Sequence, residues 1–421
     1  MFCRSLESFI LPNNVISISS NSFWECNSLR TFSFGHNTKI TTISEDAFYR
    51  CGFETFEVPS SVTQIGLNAF SECPNLKYFI FASNIDLKTI SGGTFRGCTS
   101  LPTITIPKSV ESLDPSAFQF CSKLFSINVP IDNSYYSSEE GIVYSKNRDR
   151  LVCCPCGKDR AFIKNYIIVI GSNSFYSCSY LLNLTFEDGC RLETIEDGTF
   201  YSCTALERVD MPTSLRTVQR SAFLGCSNLA IITFPDCSLC DLESDMIFAE
   251  CRNLVVFSFG KFCALQHLGN QIFLNCVRLT NITIPANCTS IGDSAFENCE
   301  SLSNVHFERN SQLHSLSQTS FIGCTSLINY TIPDSFSIIS NMCFGGAPNI
   351  EIVNVFPDMS YSKISRNSFS SIHLRCFNIG PRTTIDLLED YCFGNTYIEQ
   401  FILSTPTKCC KTLNLINFWT P

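Results

Sequence analysis

The sequence predicts a solenoid, one elongated domain of short stacked coils, and two observations carry that prediction. The first is a repeat: an apolar residue, then Phe, Cys, Leu and a short apolar run. Residues 90–110 show it as Ile90, Phe95, Cys98, Leu101, Ile104, Ile106-Pro107 and Val110. The Phe of this unit recurs at positions 23, 48, 70, 95, 118, 175, 200, 223, 248, 273, 296, 321, 344, 369 and 393. A fixed period in the twenties marks a stack of coils, each unable to bury its apolar face alone. The second is composition: 44% apolar and 16% charged residues give ample core and too little charge for disorder. A length of 421 residues would otherwise suggest two or three globular domains.

Each coil divides into three parts. Ala-Phe-x-x-Cys (Ala69-Phe70 to Cys73, Ala295-Phe296 to Cys299) is too short for a free-standing α-helix and predicts one helical or 3₁₀ turn. Leu-x-x-Ile-x-Ile (Leu101, Ile104, Ile106; Leu279, Ile282, Ile284) ends in the period-2 alternation of a half-buried strand. Val-x-x-Ile (Val62, Ile65) returns the chain along the far side. The Phe spacing mostly alternates between 25 and 23. Short coils turn through an apolar-Pro step, as at Ile106-Pro107, Met211-Pro212, Ile284-Pro285 and Ile332-Pro333, because Pro lacks an N–H and suits a strand end. Long coils carry a looser loop instead, as in Phe34–Ile40. The alternation slips once, where the spacings from Phe223 to Phe248 and from Phe248 to Phe273 are both 25.

The repeats occupy 1–130 and 167–404, with an insertion at 131–166 and an irregular tail at 405–421. The insertion centre, Gly141–Cys153, reads as a β-hairpin around Lys146-Asn147-Arg148-Asp149. The chain starts mid-coil, with Cys3, Leu6, Phe9, Leu11-Pro12 and Val15 already in their slots, and an uncapped first coil is read as one of three things: frayed, open to self-association, or the scar of a shortened gene. Neither a basic start followed by an apolar stretch nor a run of about 20 apolar residues is present, which points to the cytoplasm and to no transmembrane segment.

Thirteen of the 26 cysteines fall in the repeat slot, at 3, 26, 51, 73, 98, 121, 178, 203, 226, 251, 276, 299 and 324. In-register side chains in adjacent coils lie about 4.8 Å apart, beyond the usual Cβ separation of a disulfide. The ladder is therefore read as buried free thiols in a reducing compartment, with Cys acting as a small filler and weak donor. Cys153-Cys154-Pro155-Cys156 and Cys237-x-x-Cys240 have metal-ligand flavour, but neither has a second pair, so no metal or other cofactor is expected.

No constellation of reactive groups stands out. The five histidines (36, 267, 306, 314, 373) fall in different coils, and no phosphate-cradling loop or nucleophile elbow appears. The chain reads as no enzyme, with no catalytic residues. A net charge of −9 argues against nucleic acid, and Lys146, Arg148 and Arg150 read as a solvated turn.

The string Ile-x-x-x-x-Phe-x-x-Cys-x-x-Leu-x-x-Ile-x-Ile-Pro-x-x-Val resembles the BspA-type leucine-rich repeat over about Cys3 to Leu403. The insertion resembles that family's hairpin in Tyr136, Gly141, Val143-Tyr144, Leu151 and Pro155. The resemblance implies an α/β-type leucine-rich repeat solenoid, a horseshoe with a parallel sheet on one face. It also implies a surface antigen or adhesin binding host extracellular-matrix or cell-surface proteins, fibronectin being the usual example. An intracellular scaffold of the same fold is the alternative. Four glycosylation sequons, at Asn183, Asn281, Asn287 and Asn329, bear on that choice.

The open sheet face is the expected binding surface. Its outward positions are mostly Thr, Ser and Asn, which suit exposed strands. Ile231 and Val256 depart from this, being apolar, outward, adjacent in the stack, backed by Val255 and placed where the spacing slips. An exposed apolar patch marks an interaction site. The predicted protein-binding residues are therefore Ile231, Val255 and Val256, rimmed by Arg208, Thr233, Ser258 and Asn281. Tyr78 with Ile80 forms a smaller candidate.

Overall fold

The computed structural model describes residues 3–403, apart from 237–240, 262, 318, 333–334, 336–337, 340–342, 345–346, 348, 356–359, 362, 371, 380–383 and 386–387. The chain forms two compact units, Met1–Leu206 and Glu207–Pro421. The tail assigned to 405–421 and the motif Cys237-x-x-Cys240 lie outside the described residues.

In the first unit the repeat produces parallel strands whose side chains alternate as their sequence does. In Thr55–Val58, Thr and Glu face out while Phe56 and Val58 are buried. This strand pairs in register with Tyr78–Phe81, as Ser8–Leu11 does with Thr31–Phe34 and Thr103–Thr105 with Ser126–Asn128. Each of these pairings spans one short, Pro-turned or equivalent coil. The return segments make a second, narrower sheet from two-residue strands, such as Ser17–Ile18, Thr42–Ile43 and Gln64–Ile65.

Between the two sheets the slot phenylalanines stack. Rings of Phe23, Phe48, Phe70, Phe95 and Phe118 follow one another at 5.2, 5.3, 6.1 and 5.6 Å, nearly parallel. Strand residues Phe32, Phe56 and Phe79 meet this column edge-on, the geometry favoured by the aromatic quadrupole.

The turn around the slot Phe is helical at one place among the described residues, the 3₁₀ segment Pro115–Phe118, capped by Asp114. Elsewhere the expected helical turn is replaced by a different geometry, and the hydrogen bonds show why. Alternate amides leave the coil: Asp46, Phe48 and Arg50 donate to the carbonyls of Leu67, Ala69 and Ser71 in the next coil. The intervening amides of Ala47, Tyr49 and Cys51 donate locally, to Ser44, Asp46 and Phe48. Asp46 and Arg50 reach this arrangement with φ of 53° and 57°. Left-handed residues break a helix after a single turn.

The insertion is threaded into the stack and carries more than one hairpin. Tyr136–Glu139, Ile142–Ser145 and Arg150–Cys153 form an antiparallel meander. The third strand then runs parallel to Val169–Ile170, and Arg160–Ile163 pairs parallel with Asn183–Phe186 as an ordinary coil strand. Asn133, fully buried, anchors the entry. Its Nδ2 donates to the carbonyls of Lys108 and Val110, and its Oδ1 accepts from the amides of Tyr135 and Tyr136. Arg150 clasps Glu196 with both guanidinium nitrogens, and Glu196 also accepts from the amide and hydroxyl of Ser172.

The second unit repeats the coil. Arg208–Asp210, Ile231–Thr233 and Val256–Ser258 form three successive parallel strands. The last pairing crosses a long coil, at the point where the spacing slips. Gly260 permits this: at φ 73° it lets its loop approach so closely that a Cβ there would lie 2.2 Å from the Pro235 carbonyl oxygen. Asn281–Ile284 then pairs with Asn304–Phe307, and Asn329–Ile332, Ile352–Val355, His373–Ile379 and Tyr397–Leu403 make a four-stranded sheet.

Candidate functional site

The candidate surface is built by strand alternation in the second unit. Inward Val209, Ile232 and Phe257 are buried in the core. That forces their neighbours out, and the register aligns them in two rows: Arg208, Ile231, Val256 and Asp210, Thr233, Ser258. Val256 is 44% exposed, Ile231 and Val255 are half-buried, and Arg208 and Ser258 are exposed. Asn281 is exposed at the head of the next strand, which pairs forward with Asn304–Phe307 and adds no rung to the Val256–Ser258 ladder.

The rim contains a group the sequence reading left out. Asp210 accepts from Arg208 Nε at 2.7 Å and from its second nitrogen at 3.0 Å, and from Thr233 Oγ1 at 2.6 Å. The Arg208 guanidinium holds the Asp210 carboxyl below its usual range. Arg-x-Asp at alternate outward positions was the available signal. The surface is thus a small apolar step bordered by a charged, hydrogen-bonded cluster. In the first unit, Tyr78 and Ile80 are also exposed and line a shallow groove of about 550 Å³ with Pro107 and Pro130.

The cysteine ladder resolves into a bonding pattern. The Cys73, Cys98 and Cys121 thiols donate to the carbonyls of Phe48, Phe70 and Phe95 in the preceding coil, at 3.2, 3.2 and 3.0 Å. In the second unit Cys276, Cys299 and Cys324 do the same to Phe248, Phe273 and Phe296, each at 3.2 Å. Burial pushes these thiols far up, so they remain protonated donors at neutral pH. Burial also raises Cys288 to about 12 and Cys392 to about 11.

The Cys153-Cys154-Pro155-Cys156 motif belongs to the same pattern. Cys156 Sγ donates to the Phe118 carbonyl at 3.3 Å, and the Cys178 thiol lies 3.8 Å from the Cys154 carbonyl oxygen. Cys154 thus stands where a slot Phe would, and Cys156 where a slot Cys would. Every cysteine among the described residues is a free thiol, and no group of three or more His, Cys, Asp or Glu side chains there is arranged to hold a metal. Where the Cys slot decays, the Thr396 hydroxyl donates to the Phe369 carbonyl instead.

These coils match a known pattern. The family model for the BspA type leucine rich repeat region aligns in six copies with residues 1–125, 156–276 and 266–399. The chain belongs to the BspA-type leucine-rich repeat family. Among solved structures it is similar to a leucine-rich repeat protein from Eubacterium ventriosum, at 20% identity over 81% of this chain and 90% of that one, with a TM-score of 0.57. That likeness shows the fold. Matches also include the pneumococcal vaccine antigen PcpA (19% identity, 94% and 79% coverage, TM-score 0.48). A third is a leucine rich cell surface protein from Faecalibacterium prausnitzii (24% identity, 73% and 80% coverage, TM-score 0.49). No curated protein matches the chain in sequence. Among the described residues no helix is long and apolar enough to cross a membrane.

Proposed function

We propose that this leucine-rich repeat chain is a non-enzymatic protein-binding module of the surface-antigen or adhesin type. Its ligand is a host matrix or cell-surface protein, and its contact is the open sheet face around Ile231 and Val256. One observation carries the reading: on a face whose outward residues are mostly polar, the register sets Ile231 beside Val256, next to the Arg208–Asp210–Thr233 cluster. An apolar centre with a polar rim is the anatomy of an interface core. The test is binding to immobilised fibronectin and other matrix proteins by the chain and by an Ile231→Asp, Val256→Asp variant. The variant should lose at least tenfold in affinity while its circular dichroism is unchanged. Equal binding by the two proteins would refute the assignment.

The thiol ladder supports a second reading, an intracellular scaffold for protein–protein interaction. Hydrogen-bonded free thiols along the core suit a reducing compartment. Glycan on Asn183, Asn281, Asn287 or Asn329 in protein from its native cell would favour the adhesin. Surface-inaccessible, unglycosylated protein would favour the scaffold.

A further inference from the structure

The first unit carries another patch, chemically unlike the one around Val256. We infer that the lateral surface of the three coils flanking the insertion binds an acidic segment of a protein partner, one that carries apolar residues among its carboxylates.

The placement follows from the register. Gly157 donates its amide to the Leu124 carbonyl at 2.8 Å, and Arg160–Ile163 pairs with Asn183–Phe186. Three coils are therefore adjacent, entered by Cys121, Cys156 and Cys178. Phe125 and Leu182 hold equivalent positions just before their strands, and Tyr180 follows its slot Cys by two residues, as Lys123 and Lys158 follow theirs. Phe162 faces outward on the middle strand, opposite Thr185. Phe125, Phe162, Tyr180 and Leu182 are each 41–57% exposed. Four large apolar side chains are thus exposed on three neighbouring coils, and clustered exposure of this kind marks an interaction site.

Lysines outnumber carboxylates around them, the carboxylates being the exposed Asp159, level with Leu182 in the register, and the half-buried Glu187. Lys123, Lys158 and Lys164 form no ion pair among the described residues, whereas Lys77, Lys88 and Lys108 all do. Lys164 Nζ lies 4.9 Å from the Phe162 ring centroid. Arg160 pairs with Asp159 at 3.4 Å, and Glu187 is engaged by the Asn165 amide. The result is a basic, aromatic patch on a chain whose net charge is −9.

That contrast selects the partner. Unpaired lysines call for carboxylates, and the apolar side chains between them call for Leu- or Phe-type groups. A bilayer or a long nucleic acid would extend well past the patch, bringing its uniform negative charge within about 8 Å of the surrounding acidic surface. A short acidic protein segment touches the patch alone.

The probe is a fluorescent twelve-residue peptide of alternating Glu with Leu and Phe, against the full chain, read by anisotropy at two salt concentrations. Binding should weaken at least fivefold at the higher salt. A Lys123→Glu, Lys158→Glu, Lys164→Glu variant should lose at least tenfold, and Phe162→Ser at least threefold. If the triple variant fails to fold, Lys158→Gln alone should still lose about twofold. Absence of peptide binding, or binding unchanged in every folded variant, overturns the inference. Binding to phosphatidylserine vesicles or to single-stranded DNA but not to the peptide overturns it in favour of that surface. The Ile231→Asp, Val256→Asp variant should bind the peptide normally, which separates failure here from failure of the sheet-face assignment.

Discussion

Cys276 offers the sharpest way to ask what the cysteine ladder does. Its thiol, fully buried, donates to the Phe248 carbonyl at 3.2 Å, and that same oxygen accepts from the Cys251 amide. Cys276→Ala removes the donor and the sulfur together. The lost hydrogen bond costs about 0.5–1 kcal/mol, at the low end because the carbonyl keeps one partner. The lost packing of one methylene-sized atom adds about 1 kcal/mol, giving roughly 2 kcal/mol in all. Cys276→Ser keeps a donor in the same place, as Thr396 does for Phe369, so its cost should stay below about 1 kcal/mol. If sulfur were only an apolar filler, the order would reverse, because Ser buries a hydroxyl for no gain. Urea unfolding of the full chain, followed by far-ultraviolet circular dichroism, measures both. Serine costing more than alanine by about 1 kcal/mol or more would refute the donor role.

Other expectations follow from the same contacts. Asn133→Leu strips partners from the Lys108, Val110, Tyr135 and Tyr136 backbone groups and should cost about 2–4 kcal/mol, read as hydrogen exchange rising first across 133–145. Burial pushes the Glu196 carboxyl up, but bonds from Arg150 and Ser172 bring it below its ordinary value. Its stabilising effect is therefore present above the unfolded carboxylate pKa and lost as pH falls through the folded one. Arg150→Gln should leave burial dominant and raise the Glu196 pKa, which NMR titration of the side-chain carboxyl would show. Alkylation mapped by mass spectrometry should label exposed Cys3 in the native protein and spare ladder thiols such as Cys98 and Cys276 until denaturant is added.

The coil was legible because two periods coincide in it: alternation within each strand, and the 23–25-residue return of Phe and Cys. Thr55–Val58 and Asn281–Ile284 could be placed residue by residue, and so could the outward positions of Ile231 and Val256. What the spacing could not show was bonding between coils. The acceptors of the ladder thiols are carbonyls 25, 26 or 28 residues upstream, and a backbone group leaves no trace in a side-chain pattern. The left-handed residues were hidden too, since Asp46, Arg50 and Met246 share a conformation but no chemistry. In the insertion, Tyr136–Glu139 is half-buried throughout and shows no alternation, so its strand was invisible, and polar Asn133 gave no hint of complete burial. Cys154 and Cys156 drew notice as ligands because a shortened coil puts slot residues two apart. The Arg208–Asp210 pair is legible as alternate positions of one strand, but the bond from Thr233 to Asp210 needs the strand register.

The central claim is that a partner seats on the open sheet around Val256. Site-specific photocrosslinking tests it most directly, with the reactive group placed at Val256 in one protein and at Ser290, on the narrower sheet, in another. With a bound partner, adducts should form from position 256 and be at background from position 290. Equal yields from both, or adducts from position 290 alone, would contradict the account.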